Sequence, residues 1–549
     1  MGKTVIIGGV AAGASCAARL RRLKEEEEIV LLERGEYISY ANCGLPYHVG
    51  EVIEERDNLL VMKKQVMVNR FKIDVRDKSE AIGIDTAKKQ VTIREASGNE
   101  YQESYDNLLI ATGSSPYRPN VEGIDSDKVK SLWTVSDTDE IKGYIKNHGA
   151  KSVVVIGGGF IGLEMAENLH QLGLEVTIVQ SPKQVMKQLD FEMAKILHRN
   201  IEKHGVKLIL EDGVAGFSDC GDHLTITLRS KTELNADFAV LSIGVRANSD
   251  IAKEAKIAVN EDGGIVVDDR MRTSAPCVYA AGDVVEVKDY VLGGRTMVPL
   301  AGPANKQGRI VADNIAGIAS SYKGTQGSFV IQVFDFTASS TGVNEKTLIA
   351  KGYVKGKDYE TVFITQNSHA GYYPGAKPLY VKLIFSMDGK KIYGAQVVGQ
   401  EGADKRIDTI AAAMQFGASV KDLANLELAY APPYSSAKDP VNMAGYVAEN
   451  VINGYVRLAE WNELETNQDA VVLDVREKPE LQTFAFDGAI HIPLGQLRDR
   501  IGELDRGKEY IVMCGIGVRA YNASRILAQH GITKTKVYPG GVKYYRAIH

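Results

Sequence analysis

Over most of the chain, short apolar runs broken by glycine alternate with segments of helical period. Thr4–Gly8 is an apolar run of strand length, Gly13–Leu23 repeats its apolar positions every three to four residues, and Ile29–Glu33 is a second strand-length run. Short apolar runs bounded by turn residues predict buried strands, and the 3.6-residue recurrence predicts a helix. Leu108–Gly113 is a further apolar strand ending in a turn. The order recurs with strand Ser152–Ile156, helix Ile161–Leu172 and strand Glu175–Val179. These two βαβ units are the main internal repeat and predict an α/β fold with parallel sheets. Around 325–445 the texture changes to alternating strands, among them Tyr380–Phe385 and Ile392–Val398, followed by helices. Residues 446–460 read as a connector. From Ala470 a new α/β pattern begins: strands Val471–Val475 and Tyr510–Met513, helix Ala520–Gln529 and strand Lys536–Tyr538. Roughly 95 residues suffice there for a small independent domain.

A length of 549 residues fits three or four domains. A net charge of −5 offers no basic footprint for nucleic acid or an anionic membrane. No apolar run approaches the roughly 18 residues of a membrane span. Met1-Gly2-Lys3 leads straight into the first strand, which leaves no room for a signal peptide, so a cytoplasmic location is expected. The five cysteines, at 16, 43, 220, 277 and 514, are scattered and odd in number. That pattern argues against a disulfide framework and for a reducing compartment. No Cys/His cluster has metal spacing, and no metal is expected.

Two turns have the chemistry of phosphate binding. Gly8-Gly9-Val10-Ala11-Ala12-Gly13 departs from GxGxxG at Val10, but it follows a strand and opens a helix. Glu33, 20 residues past Gly13, is placed to accept a ribose hydroxyl, with Arg34 beside it. Gly157-Gly158-Gly159-Phe160-Ile161-Gly162 matches GxGxxG in full. Its ribose-reading position falls near Gln180, neither the acid that favours NADH nor an arginine for a 2′-phosphate. Lys183 is a candidate phosphate partner, and the choice between NADH and NADPH stays open.

Two cysteines stand out. Cys43, in Ser39-Tyr40-Ala41-Asn42-Cys43-Gly44-Leu45-Pro46-Tyr47, has no CxxC or CxxxxC partner and cannot close a local redox disulfide. Cys514, in Cys514-Gly515-Ile516-Gly517-Val518-Arg519, opens a glycine-rich loop that runs into a helix. Successive backbone N–H groups at a helix start favour a thiolate and then an anionic persulfide. Arg519 is placed to fix the loop or to meet an incoming anion. Cys16, Cys220 and Cys277 read as buried, inert cysteines.

Residues 1–445 resemble the two-dinucleotide-binding flavin disulfide reductases. The resemblance rests on the two turns, on Ala111-Thr112-Gly113, on the Ala280-Ala281-Gly282-Asp283 ending of Thr273–Asp283, and on Val298–Arg309. It implies an FAD-binding domain (1–115 and 250–325), an NAD(P)-binding domain (116–249) and an α+β dimerisation domain (326–445) of a homodimer. Asp283 would then contact the ribityl-phosphate part of FAD, and Leu300 and Ala301 would lie at the flavin edge. The lone Cys43 resembles the single-cysteine branch, which holds coenzyme A disulfide reductase, NADH peroxidase and NADH oxidase. Within that branch, His369–Ala376 and Leu428–Pro440 resemble the coenzyme A disulfide reductases. There, tyrosines of the partner subunit approach the active cysteine. Tyr372 and Tyr430 are the candidates here, with Tyr373 a close rival and His369 a possible assistant. Arg19, Arg22 and Lys438 match that family's coenzyme A contacts, and Ser39 and Asn42 its contacts near the reactive sulfur. Residues 461–549 resemble a single-domain rhodanese, on Val472–Glu477, Gly488–Pro493, the Cys514 loop and Tyr538-Pro539-Gly540-Gly541.

The resemblance implies an FAD-dependent, NAD(P)H-driven reductase of coenzyme A disulfide, persulfide or polysulfide, coupled to rhodanese sulfur transfer. Coenzyme A is then a substrate or a tightly bound ligand. The alternatives are an NADH oxidase or peroxidase that uses a Cys43 sulfenate, and a sulfur carrier or docking protein centred on Cys514.

Overall fold

The computed structural model describes residues 2–549; Met1, at the head of the expected first domain, lies outside them. The chain forms two compact units. One runs to Lys183 and resumes over Val206–Thr325; the other combines Gln184–Gly205 with Gln326–His549.

The first unit opens with β1 (Lys3–Ile7), α1 (Ala11–Leu23), β2 (Glu28–Leu32), the short helix α2 (Leu45–Val49), β3 (Asp74–Arg76) and β4 (Asn107–Ile110). A parallel sheet runs in the order Val278–Ala280, β4, β1, β2, β3. Val5, Ile6, Leu31, Leu108 and Leu109 are fully buried. Strands covered on both faces need continuous apolar runs, which is why these segments do not alternate. The second βαβ unit supplies β5 (Val129–Ser131), β6 (Ser152–Ile156), α3 (Phe160–Gln171), β7 (Glu175–Gln180), β8 (Lys207–Leu210) and β9 (Phe238–Leu241). Its parallel sheet runs β8-β7-β6-β9-β5. The helix α4 (Ala301–Ile315) lies against α1, and Gly308 permits the close approach. A Cβ there would fall 2.2 Å from the Ala12 carbonyl oxygen.

The second unit holds an antiparallel sheet of β10 (Phe329–Val333), β11 (Phe336–Gly342), β12 (Tyr359–Asn367), β13 (Pro378–Ser386) and β14 (Ile392–Gly399), ordered β10-β11-β14-β13-β12. Helices α5 (Ala403–Gln415) and α6 (Pro440–Ile452) follow. The helix Phe191–Lys203 joins this unit through buried polar contacts. Asn200 donates to the Val333 carbonyl at 3.0 Å. The ammonium of buried Lys382 lies 2.8 Å from Asp190 and also bonds Glu192 and Glu345. A buried lysine needs such charged partners to offset its desolvation.

The C-terminal residues form β15 (Val471–Asp474), β16 (Ile490–His491), β17 (Tyr510–Met513), α7 (Val518–Gln529), β18 (Thr535–Val537) and α8 (Gly541–Ile548), with parallel order β16-β15-β17-β18. The stretch expected as a connector, 446–460, is helical as far as Ile452, because Ala444, Gly445 and Ala448 form one buried face of α6. The C-terminal sheet is docked on the antiparallel one. Buried Tyr544 lies with its ring centroid 4.2 Å from that of Phe363, and Thr365 donates to the Gly540 carbonyl at 3.0 Å.

Candidate functional site

Both dinucleotide turns use glycine for the same two purposes. Gly8 has φ +102° and Gly157 +112°, conformations open to glycine without strain. A Cβ on Gly13 would lie 1.8 Å from the Gly8 oxygen, and one on Gly162 would lie 1.9 Å from the Gly157 oxygen. The helices α1 and α3 start from Val10 and Gly159 with no side-chain cap, which leaves first-turn amides for an anion. Space is open around the missing Cβ of Gly159. Glu33 accepts from the Gly9 amide at 2.9 Å and from the Gly35 amide at 2.8 Å. Its carboxylate keeps lone pairs for a ribose hydroxyl. Gln180 holds the matching place in the second turn, accepting from the Gly158 amide at 2.9 Å. The two turns therefore share a geometry and differ by one charge.

Further candidates gather near the first turn. Thr112 donates to the Asn248 carbonyl at 2.7 Å, and Gly113 follows with φ +64°. Gly282 donates to Gln307 at 2.8 Å, and Asp283 accepts from Ser114 at 2.9 Å. Burial raises the Asp283 carboxyl above its usual range, against the Ser114 bond. Leu300 is the N-cap of α4 and Ala301 its first residue, again with no side-chain cap. Arg34 is exposed and donates to Ser115 at 3.1 Å. Two uncapped helix starts beside glycine turns, with Glu33 held at the first, fit two dinucleotides. Ser114 and Asn248 belong to no motif and no local pattern marks them, whereas Gln307 lies within the Val298–Arg309 segment.

Cys43 sits in the 3-10 turn Asn42–Gly44 that opens α2. The side chain reaches solvent, but protein on its other sides desolvates the sulfur. That desolvation, then the negative charge of Glu164 and of Asp283, raises the thiol above its ordinary range. Tyr47, one helical turn on, donates to Glu164 of α3 at 3.4 Å. Burial pushes the Glu164 carboxyl up to about 7, against the Tyr47 bond and with help from Glu167. Ser39 donates its amide to the Gly9 carbonyl at 2.8 Å, and Asn42 its side-chain amide to the Trp133 carbonyl at 3.4 Å. Arg19 is ion-paired with Asp313 at 2.9 Å, and exposed Arg22 stacks 5.3 Å from the Phe71 ring centroid. Tyr47 and Glu164 were not foreseen. Glu164 lies two residues beyond Gly162, and nothing in its spacing points to Cys43.

Tyr372 and Tyr430 are exposed, and their hydroxyls bond each other across 58 positions of sequence. That bond raises the Tyr430 phenol above its usual range. Both segments are clamped by Arg406, which is buried on α5. Its guanidinium donates to the Ser368 carbonyl at 2.9 Å, to Ser435 at 3.2 Å and to Asp439 at 3.0 Å. Tyr373 presents its ring to the edge of buried His369, at 5.6 Å between centroids, and His369 also contacts the Ala370 carbonyl. Lys438 is exposed just before Asp439. Cys43 belongs to the first unit; Tyr372, Tyr430 and Lys438 belong to the second.

Cys514 follows the last residue of β17 and is 1 % exposed. Its sulfur accepts from the Gly517 amide at 3.1 Å, and Gly517, at φ +101°, is the N-cap of α7. The loop is held from behind by the first amides of α8. Val542 donates to the Cys514 carbonyl at 2.8 Å and Lys543 to that of Gly515 at 3.0 Å. Arg519 forms a two-pronged pair with Glu480 at 2.6 and 2.7 Å. The Arg519 bonds, against some burial, hold the Glu480 carboxyl down at about 2. Glu480 was not singled out from the sequence. Cys16 is buried, whereas Cys220 and Cys277 are exposed, contrary to expectation. Cys220 lies in a hairpin turn, and Cys277 takes a left-handed backbone, φ +61°, before a strand.

Residues 2–308 match the model of the pyridine nucleotide-disulphide oxidoreductases, 329–440 that of their dimerisation domain, and 458–548 that of rhodanese-like domains. The coenzyme A disulfide reductase of Staphylococcus epidermidis is 36 % identical over 451 residues, which span 82 % of this chain and all of that one. The crystal structure of reduced Bacillus anthracis CoADR-RHD superposes with a TM-score of 0.96 at 46 % identity, covering 100 % of this chain and 98 % of that one. A NAD-dependent persulfide reductase from A. fulgidus gives 0.94 at 38 % identity, covering 99 % and 100 %. Among the described residues no helix is long and apolar enough to cross a membrane.

Proposed function

For a chain that belongs to the pyridine nucleotide-disulphide oxidoreductases and ends in a rhodanese-like domain, we propose reduction of small-molecule persulfides, polysulfides and disulfides, coenzyme A forms above all, coupled to sulfur transfer at Cys514. The family implies FAD and a reduced nicotinamide as cofactors, and the two turns fit them. The observation that carries the reading is Cys43, a solvent-reaching thiol outside any disulfide, in a chain whose other end sets the Cys514 sulfur on the Gly517 amide at a helix start.

When bound, FAD relays the electron pair of the reduced nicotinamide to sulfur. The chain's own residues handle the thiol chemistry. The Cys43 thiolate attacks the outer sulfur of a coenzyme A persulfide, the S–S bond breaks, and the coenzyme A thiolate leaves, so that Cys43 carries the persulfide. Reduction of that persulfide by two electrons, with a proton taken up, yields hydrogen sulfide and the Cys43 thiolate. Attack at the inner sulfur instead releases sulfide and leaves a Cys43–coenzyme A mixed disulfide. Either leaving group, the coenzyme A thiolate or sulfide, takes a proton, which the Tyr430 hydroxyl, bonded to Tyr372, supplies from the partner subunit of a homodimer. Arg19, Arg22 and Lys438 meet the phosphates of coenzyme A, and Ser39 and Asn42 order the segment beside the sulfur.

The test is the intact mass of the protein as isolated, with Cys43 mapped by peptide mass. Coenzyme A or a persulfide on Cys43 is the expected result. A sulfenic or higher acid there would replace this reading with that of an oxidase or peroxidase.

A further inference from the structure

The Cys514 loop has one cationic fork, and a carboxylate fills it. Glu480 takes both terminal nitrogens of Arg519. Glu480 is itself fixed, because its Oε2 also accepts the Glu477 amide at 3.0 Å in a reciprocal cap of the 3-10 turn Lys478–Gln482. The pair lies against the loop. A Cβ on Gly515 would fall 3.3 Å from the Arg519 terminal nitrogen and 3.8 Å from Glu480 Oε1. Arg476, just past β15, is buried and paired with Asp474 at 2.6 Å. Lys543 lends the loop its amide, while its side chain is exposed.

A planar guanidinium binds a dianion through the same two N–H groups that Glu480 occupies. A dianionic donor approaching Cys514 must therefore displace a two-pronged carboxylate and also face its charge. A donor with no charge beside the transferred sulfur meets neither obstacle.

We propose that Glu480 sets the donor class of the Cys514 site, turning it away from dianionic donors such as thiosulfate and toward persulfides of uncharged thiols. The inference rests on the reading of Cys514 as a sulfur carrier. In the favoured step the Cys514 thiolate attacks the outer sulfur of R–S–SH; a new S–S bond forms, the old one breaks, and R–S⁻ leaves with Cys514–S–SH behind. With thiosulfate the same attack releases sulfite, and one proton is taken up from water. Glu480 acts through Arg519 and is a specificity-determining residue, not a catalytic one.

The experiment loads full-length protein with thiosulfate or with N-acetylcysteamine persulfide, quenches rapidly, and follows the gain of one sulfur on the Cys514 peptide by mass. Glu480→Gln keeps an acceptor for the Glu477 amide and removes the charge; Glu480→Ala removes both. In both variants the loading constant for thiosulfate is expected to rise about tenfold, the scale of one charge-assisted contact, with the persulfide constant within about threefold. The gain should shrink as salt rises. An equal change for both donors, no change for either, or a joint collapse would show Glu480 to be a structural prop and overturn the inference. Wild-type protein that takes sulfur on Cys514 from neither donor would overturn the carrier reading, and the inference with it.

Discussion

Cys43 and Cys514 are each followed by glycine, and each opens a turn that leads into a helix, yet the chain treats the two sulfurs in opposite ways. Around Cys43 it supplies desolvation and two carboxylates, Glu164 and Asp283, all of which favour the protonated thiol. Around Cys514 it supplies a donated amide from Gly517, and the nearby Arg519 is already held by Glu480. Cys43 reaches solvent, while Cys514 is buried at the root of its loop. Reactivity at the second is thus written into the backbone. A motif of the same shape carries different chemistry once the neighbouring carboxylates are counted.

The sharpest test of that contrast is to remove each sulfur. Cys43→Ser should cut persulfide and disulfide reduction by about 10³-fold or more, with FAD content unchanged, since the glycine turns lie elsewhere. Cys514→Ser should cut sulfur loading from a sulfane donor by a similar factor and leave reduction of a free small persulfide within about threefold. Parallel assays decide: if both rates fall in both variants, the two thiols share one cycle and the contrast fails. A smaller effect is expected for Tyr430→Phe, about 10²-fold on release of the thiol and little on reduction of the flavin. Stopped-flow traces in which both half-reactions slow alike would remove the proton-donor role. The smallest effect concerns Glu164. Its carboxyl titrates near 7, so its charge opposes the Cys43 thiolate only above that pH. Glu164→Gln should therefore speed alkylation of reduced Cys43 by iodoacetamide above neutrality and leave it unchanged well below. An unaltered pH profile would mean that desolvation and Asp283 raise the thiol without Glu164.

What was legible in the sequence is what local pattern controls. The two βαβ units, both glycine turns and the Cys514 loop depend on residues close together in the chain, and each lies within a residue or two of its expected place. Glu33 was legible for the same reason, being fixed by the length of one strand–helix–strand unit. What was not legible depends on distant pairing. Tyr47 meets Glu164 across 117 positions, Arg406 gathers Ser368, Ser435 and Asp439, and Glu480 reaches Arg519 across 39. Each is a polar group whose role is set by tertiary contact, and no periodicity marks it. The exposed positions of Cys220 and Cys277 were missed because apolar composition cannot tell a core cysteine from one in a turn.

Gly540 makes the C-terminal domain a fixed appendage. A Cβ there would fall 2.7 Å from the Phe363 ring and 2.8 Å from the Thr365 hydroxyl, both on β12, while one on the adjacent Gly541 would fall 2.5 Å from the Cys514 carbonyl oxygen. The two glycines are thus a shim between the antiparallel sheet and the sulfur-carrying loop. With Tyr544 buried alongside, the C-terminal domain packs on the antiparallel sheet within the second compact unit. On the carrier reading proposed above, the Cys514 loop would keep its place on the antiparallel sheet, and donor and acceptor alike would have to come to it.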